Sequence, residues 1–178
     1  MSSLQLKVQL EDINPVIWRT FQIDQTETFF DLHEILQIVM GWENAHLFEF
    51  QIKERKIGLL PDEDEMWDTD ASLEDSESIL MLDMNLKEGD SFHYIYDFGD
   101  NWKHLLTVEK VLADDETDCP ICLGGARNCP PEDCGGAPGY ADFLDALKNP
   151  NHPQHEEIID WIEEFDPEDF DQEETNEI

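Results

Sequence analysis

An α+β fold is predicted: a β-grasp-like mixed sheet with one helix across a face, plus a Cys/Pro/Gly-rich loop and two C-terminal helices. Three observations predict it. Alternating apolar stretches recur through residues 1–112, a single capped amphipathic segment interrupts them, and two more amphipathic segments follow a stretch rich in Cys, Pro and Gly. The reading is one domain over 1–165, divided into a sheet and helix core (1–112), a Cys-rich loop (113–139) and a helical cap (140–165). An acidic tail, 166–178, is expected to fray.

Leu4, Leu6, Val8 and Leu10 alternate with polar residues, which makes a half-buried strand. Asp12-Ile13-Asn14-Pro15 is a turn. Val16 to Ile23 alternates again, with Trp18 on the face opposite Ile17 and Arg19, so the two strands form a hairpin. Thr28 fits a helix N-cap and Gly41 a C-terminal stop, with Phe29, Leu32, Leu36 and Val39 at helical spacing between them. His33 falls on the polar flank, as an exposed or capping histidine. Ala45 to Ile52 reads as a third strand and residues 57–60 as a short fourth.

Pro61 to Ser78 is a charge-dense loop. Its Asp62-Glu63-Asp64-Glu65 run is not an EF-hand, because the sixth position, which needs glycine, is Trp67. Ile79 to Leu86 carries a short helix. Tyr94 to Trp102 is the centre of the chain: two strands joined by the polar turn Asp97-Phe98-Gly99-Asp100-Asn101, with Gly99 free to take positive φ and Asp100 and Asn101 tolerating it. Asp114 to Gly139 is too rich in Cys, Pro and Gly for regular structure. Tyr140, Phe143, Leu144 and Leu147 make one helix, ended by Asn149-Pro150. Residues 155–165 make another, with Ile158, Ile159, Ile162 and Phe165 inward.

Composition excludes several classes of function. The chain carries 44 acidic against 10 basic residues, a net charge of −34. Phosphate neutralisation takes clustered Lys or Arg, and no window supplies one, so direct nucleic-acid binding is not expected. The charge suits a solvated acidic surface. No apolar run approaches the ~20 residues of a membrane span, and Met1 to Leu10 lacks the pattern of a signal peptide. The cytoplasm is the expected compartment, where four cysteines are thiols or metal ligands sooner than disulfides.

Several motifs point to one family: Pro15-x-Ile17-Trp18-Arg19, Asp31-Leu32-His33, Met40-Gly41-Trp42, His46-Leu47-x-x-Phe50, Tyr96 to Trp102, Val108-Glu109-Lys110-Val111, Cys129 to Gly136, Gly139-Tyr140 and Asp166-Pro167. Together they resemble the plasmid Ri open-reading-frame-three-like family, also met as a passenger protein of insertion elements, over nearly the whole chain. The resemblance implies an α+β domain and no activity. A resolvase activity ascribed to some relatives does not suit these residues. Recombination needs several arginines on the phosphoryl group, and the chain has only Arg19, Arg55 and Arg127.

Two candidate sites emerge. Cys119, Cys122, Cys129 and Cys134, beginning with Cys-x2-Cys, suit a structural zinc that would hold a loop with little core of its own. The resemblance implies that the first cysteine is often missing; His104 would serve as a substitute ligand. The second site gathers Asp97, Asp100, His104, Glu109, Glu132 and Asp133, of which Asp97, Asp100, His104 and Glu132 would bind a metal and activate water. Against it stand ordinary roles for Asp in turns and for Glu132-Asp133 as a loop anchor. Trp18, Trp42, Tyr94, Tyr96, Phe98 and Trp102 are expected in the core; Trp42, Phe98 and Trp102, if they share an exposed face, mark a binding groove instead. Three functions follow: a non-enzymatic binding or adaptor module for an unknown protein partner, with a structural zinc; a metal-dependent hydrolase; and an acidic decoy for a nucleic-acid-binding protein.

Overall fold

The computed structural model describes residues 2–65, 70–113, 116–162 and 164–177. It is built on one eight-stranded mixed sheet with four α-helices, an α+β architecture. The strands are β1 (Ser3–Leu10), β2 (Trp18–Asp24), β3 (Phe48–Ile52), β4 (Arg55–Gly58), β5 (Leu73–Asp75), β6 (Ser91–Tyr96), β7 (Trp102–Leu112) and β8 (Ile121–Ala126). Their order across the sheet is β5-β4-β3-β6-β7-β1-β2-β8. Neighbours pair antiparallel except β4 and β5, which are parallel.

Alternation decides which face each strand buries. Leu4, Leu6, Val8 and Leu10 of β1 are buried, as are Phe92, Tyr94 and Tyr96 of β6. Along β7 the same period buries Trp102, His104, Leu106 and Val108. Helix α1 (Phe29–Met40) lies across this face, with the Phe29 ring 5.2 Å from Phe50 and 6.3 Å from Phe92. Its caps are as expected. Thr28 Oγ1 accepts from the Asp31 N–H and an Asp31 oxygen accepts from the Thr28 N–H, while Gly41 takes φ +104°.

Two expected histidine positions are corrected. His33 is not on a polar flank. It shares the inward face of α1 with Phe29 and Leu36, one helical turn away on either side, and it is buried and stacked on Phe48 at 3.7 Å. Its Nδ1 accepts from the Tyr94 hydroxyl at 2.7 Å and its Nε2 donates to Asn44 Oδ1 at 2.8 Å. Gln37 completes the network, donating to Tyr94 Oη and accepting from the Asn44 N–H. His104 is also buried; its Nε2 accepts from Trp42 Nε1 at 3.1 Å and its Nδ1 faces the Tyr94 and Trp102 carbonyls. Burial lowers the pKa of each imidazole to about 4.

Arg19 organises the C-terminal end of α1. It is 2% exposed and has no carboxylate partner among the described residues. Its guanidinium donates instead to five carbonyls: Val39 and Met40 in the last turn of α1, Trp18, Ala126 and Arg127. The Phe170 ring lies 4.1 Å above it. Burial pulls the Arg19 pKa down to about 10, still far above neutrality.

Elsewhere the loops hold more structure than their composition suggests. The 61–78 loop contains β5, an edge strand tied by Arg55–Glu74 and Lys56–Asp70 pairs; Trp67 and the rest of 66–69 lie outside the described residues. Residues 81–84 form a single 3-10 turn. The Cys-rich stretch contributes β8 to the sheet edge, and its Asp114 and Asp115 lie outside the described residues. Helix α2 (Gly136–Lys148) ends at Asn149 as expected, and α3 (His155–Trp161) leaves Ile159 exposed, not inward. Glu163, in the span expected to continue α3, is not among the described residues.

Over its described residues the acidic tail does not fray. It forms α4 (Gln172–Asn176), which caps the edge of β8: Asn176 Oδ1 accepts from the Cys122 N–H, and Asn176 Nδ2 and Gln172 Nε2 donate to the Cys122 carbonyl. Aromatics divide as well. Trp42, Tyr94, Tyr96 and Trp102 are core, Trp18 is half-buried, and Phe98 is 53% exposed.

The buried cation and the neutral imidazoles lead to two predictions. Arg19→Met removes the guanidinium from five carbonyls, of which the Val39 and Met40 contacts are buried, and is expected to lower stability by at least about 3 kcal/mol, since each orphaned buried group costs about 1–3 kcal/mol. Urea unfolding checks this, and a loss under about 1 kcal/mol would contradict the role given to Arg19. For His33 and His104, the unfolded chain takes up protons near the ordinary 6.5 and the folded chain only near about 4. Stability from these sites is therefore full above pH 6.5 and declines as pH falls from 6.5 to about 4. Urea midpoints across that window should fall less steeply in His104→Gln than in the native chain.

Candidate metal centre

The β6–β7 turn builds one side of the site. Residues 97–101 join Tyr96 to its cross-strand partner Trp102. Left-handed backbone falls on Asn101 (φ +55°), one of the expected positions, and on Asp97 (φ +59°), not on Gly99 or Asp100. Asp97 makes this possible by folding its carboxylate back: Oδ1 accepts from the N–H groups of Gly99 and Asp100. Its other oxygen, Oδ2, is thereby turned outward, 3.5 Å from His46 Nε2.

His46 comes from the link between α1 and β3. The His33–Tyr94–Gln37–Asn44 network fixes that link, and the Ala45 N–H donates to Tyr96 Oη. The Leu47 carbonyl accepts from the Asp97 N–H at 2.9 Å, so His46 and Asp97 sit on adjoining backbone. Leu47 and Phe98 are both exposed beside them.

Glu132 arrives from the Cys-rich segment. Gly136, at φ +71°, packs so closely on the turn that a Cβ there would collide with the Asp100 carbonyl oxygen. The Gly135 N–H donates to Asp100 Oδ2. This contact folds Glu132 against β6, where Oε1 accepts from the Tyr96 hydroxyl and from the Glu43 N–H, both at 2.9 Å. The side chain is only 10% exposed, and Oε2 is buried with no hydrogen-bond partner, 3.7 Å from His46 Nε2. His46 Nε2 is likewise buried without a hydrogen bond. The exposed Asp133 brings Oδ1 to 2.9 Å from the same nitrogen, but out of hydrogen-bonding alignment.

His46, Asp97 and Glu132 thus place three donor atoms within 4.8 Å of one another. Tetrahedral ligands at ordinary bond lengths of about 2.0–2.2 Å stand about 3.4 Å apart, close to the 3.5 and 3.7 Å found here. Each carboxylate gives one oxygen to the scaffold and keeps one for the centre. The group could hold a divalent cation.

The other candidates fall elsewhere. Asp97 and Glu132 converge as the second site required. Asp100 is committed to Gly135, and His104 cannot ligate, because both ring nitrogens are engaged inside the core. Glu109 lies out on β7, accepting from Gln5. His46, missing from the expected set, replaces His104.

Among the described residues, no group of three or more donors brought together includes a cysteine. Cys122 is in β8, so the Cys-x2-Cys spacing does not make a knuckle turn. Cys129 is buried against Gly41, and Cys134 precedes α2. Burial raises the pKa of Cys122 and Cys129, and it pushes Cys134 up to about 12 with help from neighbouring carboxylates, Asp100 first. None of the four is in a disulfide, and Cys119 is half-buried.

Fold and site define an α+β protein whose sheet end carries a one-histidine, two-carboxylate cluster. The chain belongs to the family of plasmid pRiA4b ORF-3-like proteins, whose family model matches residues 2–174. It is 38% identical over 160 residues to the uncharacterized protein y4hQ of Sinorhizobium fredii, covering 90% of this chain and 80% of that one. The crystal structure of the protein of unknown function MM3350 from Methanosarcina mazei Go1 is similar, with a TM-score of 0.85, 35% identity and 97% of each chain covered. No helix among the described residues is long and apolar enough to cross a membrane.

Because Gly136 seats the Glu132 segment, Gly136→Ala should be costly. Positive φ and the collision with Asp100 together are expected to lower stability by about 1–3 kcal/mol. Thermal unfolding measures it, and an unchanged midpoint would show that the segment docks by other means.

Proposed function

We propose that the protein is a metal-dependent hydrolase, with a divalent ion held by His46, Asp97 and Glu132. One observation carries the reading: His46 Nε2 and Glu132 Oε2, 3.7 Å apart, are buried without a hydrogen bond, while Asp97 Oδ2 and Asp133 Oδ1 stand 3.5 and 2.9 Å from the same nitrogen. A cation among these carboxylate oxygens and the imidazole would offset the burial of the unbonded atoms. The donor set, one imidazole and two carboxylates, suits zinc or manganese.

An ion held by His46, Asp97 and Glu132 would supply a water made acidic enough to ionise at neutral pH. Asp133, exposed and 2.9 Å from His46 Nε2, would take the proton of that water and pass it to the leaving group as the water oxygen replaced that group on a carbon or phosphorus.

A second reading keeps the ion and drops the turnover. The three ligands come from three separate segments, so an ion would also clamp them, as in a binding module with a structural zinc.

Protein stripped with chelator and titrated with zinc or manganese should take up about one ion per chain. His46→Ala and Glu132→Gln should weaken uptake at least tenfold, while Cys119→Ser and Cys122→Ser leave it unchanged. Uptake that survives His46→Ala, or fails in the cysteine variants, would overturn the site. Chromogenic esters and phosphodiesters then separate the readings. Hydrolysis restored by metal in the native chain and absent in Glu132→Gln supports the enzyme; a raised melting temperature without turnover supports the clamp.

A further inference from the structure

Buried residues of α1 and α2, and partly buried ones of α3, join the inward side chains of the strands in a single core. Alternate residues of the central strands point the other way. The apolar ones among them, Trp18, Ile95 and Leu105, stand outside that core and are half-buried. The core's helices thus leave this face of the sheet open. Pairing sets Gln51, His93, Leu105, Gln9 and Trp18 in one row across β3, β6, β7, β1 and β2. Glu49, Ile95 and Lys103 form a second row beside it. Lys7 lies on the other side, its Nζ 4.9 Å over the Trp18 ring.

Charge sets this face apart. It holds Lys7 and Lys103 against Glu49, with Glu11 and Glu109 at its rim, in a chain of 44 acidic and 10 basic residues. Near-balance here leaves the excess negative charge to the remaining surface, where two like copies would repel. A basic partner is drawn to that remainder, and a polyanion needs clustered Lys or Arg that this face lacks. A second copy suits it. Its own near-neutral face sets apolar residues against apolar ones and offers its lysines to the glutamates opposite. Area agrees: five strands about 4.8 Å apart and three rows about 6.7 Å apart make roughly 24 by 20 Å. That is about 500 Å² per copy and about 1,000 Å² in a pair, the lower bound for a specific interface.

We propose that two copies of the chain pair through this open face, their sheets stacked about 10 Å apart with the helices outward. None of these residues belongs to the metal centre, so the two readings stand or fall separately.

Sedimentation equilibrium of the full chain, from about 1 to about 100 μM and at about 50 and about 500 mM NaCl, tests the pairing. A dimer with a Kd on the order of 10 μM is expected for so small an interface. It should tighten at least threefold at the higher salt, because screening relieves the repulsion between two acidic chains. Leu105→Glu should weaken it at least tenfold. Lys7→Glu, which removes no apolar residue from the sheet, should do the same with an unchanged urea midpoint. Ile159→Glu, at an exposed position of α3, should leave it unaltered. A monomer at every concentration overturns the proposal. So does a dimer that survives Lys7→Glu, that Ile159→Glu disrupts, or that salt dissociates.

Discussion

Arg19 is the constraint on which much else depends. A guanidinium buried without a carboxylate is tolerable only if its donors are met, and here five carbonyls meet them. Two belong to the last turn of α1, where the helix dipole and the free carbonyls favour a cation. The others come from β2 and the end of β8, and Phe170 of the tail closes the cage. One side chain thus fixes a helix end, two strands and the C-terminal segment. Just past that helix end, the backbone of Glu43 holds Glu132.

Polar order then passes from the core to the site in steps. The neutral His33 meets the Tyr94 hydroxyl on one side and Asn44 on the other, which sets the course of the chain toward His46. Tyr96, two residues along the same strand face, accepts from Ala45 and donates to Glu132. Two tyrosines of one strand therefore position two of the three clustered side chains. Asp97, directly after Tyr96, is the third. The cluster depends on the alternation of β6 as much as on the turn that follows it.

Much of the fold was legible in the residues. β1, β2, α1 with both its caps, and the β6–β7 hairpin follow from period and capping chemistry. What was missed has physical reasons. β5 and β8 are short edge strands, stabilised by pairing and side-chain ties, not by an apolar pattern. The tail's composition signals solvation, yet its amides match the free backbone of Cys122. Of the site, Asp97 and Glu132 were legible together, although they lie far apart in the chain and no local pattern names either as the partner of the other. His104 was misassigned although period 2 from Trp102 to Leu106 marks it as core. His46 could have been found: it stands in the His46-Leu47-x-x-Phe50 motif, just before a strand whose neighbour leads directly into Asp97.

In a chain with 44 acidic residues, proximity of carboxylates means little. What distinguishes Glu132 is its environment. A carboxylate at the surface is solvated and needs nothing, but one with a buried, unbonded oxygen and a second carboxylate nearby favours a positive charge opposite it. Tyr96 and Glu43 satisfy only the rear oxygen. The front oxygen meets an imidazole nitrogen that is equally without a hydrogen bond. Neither group alone marks a site; together with Asp97 they form a group that could hold a cation.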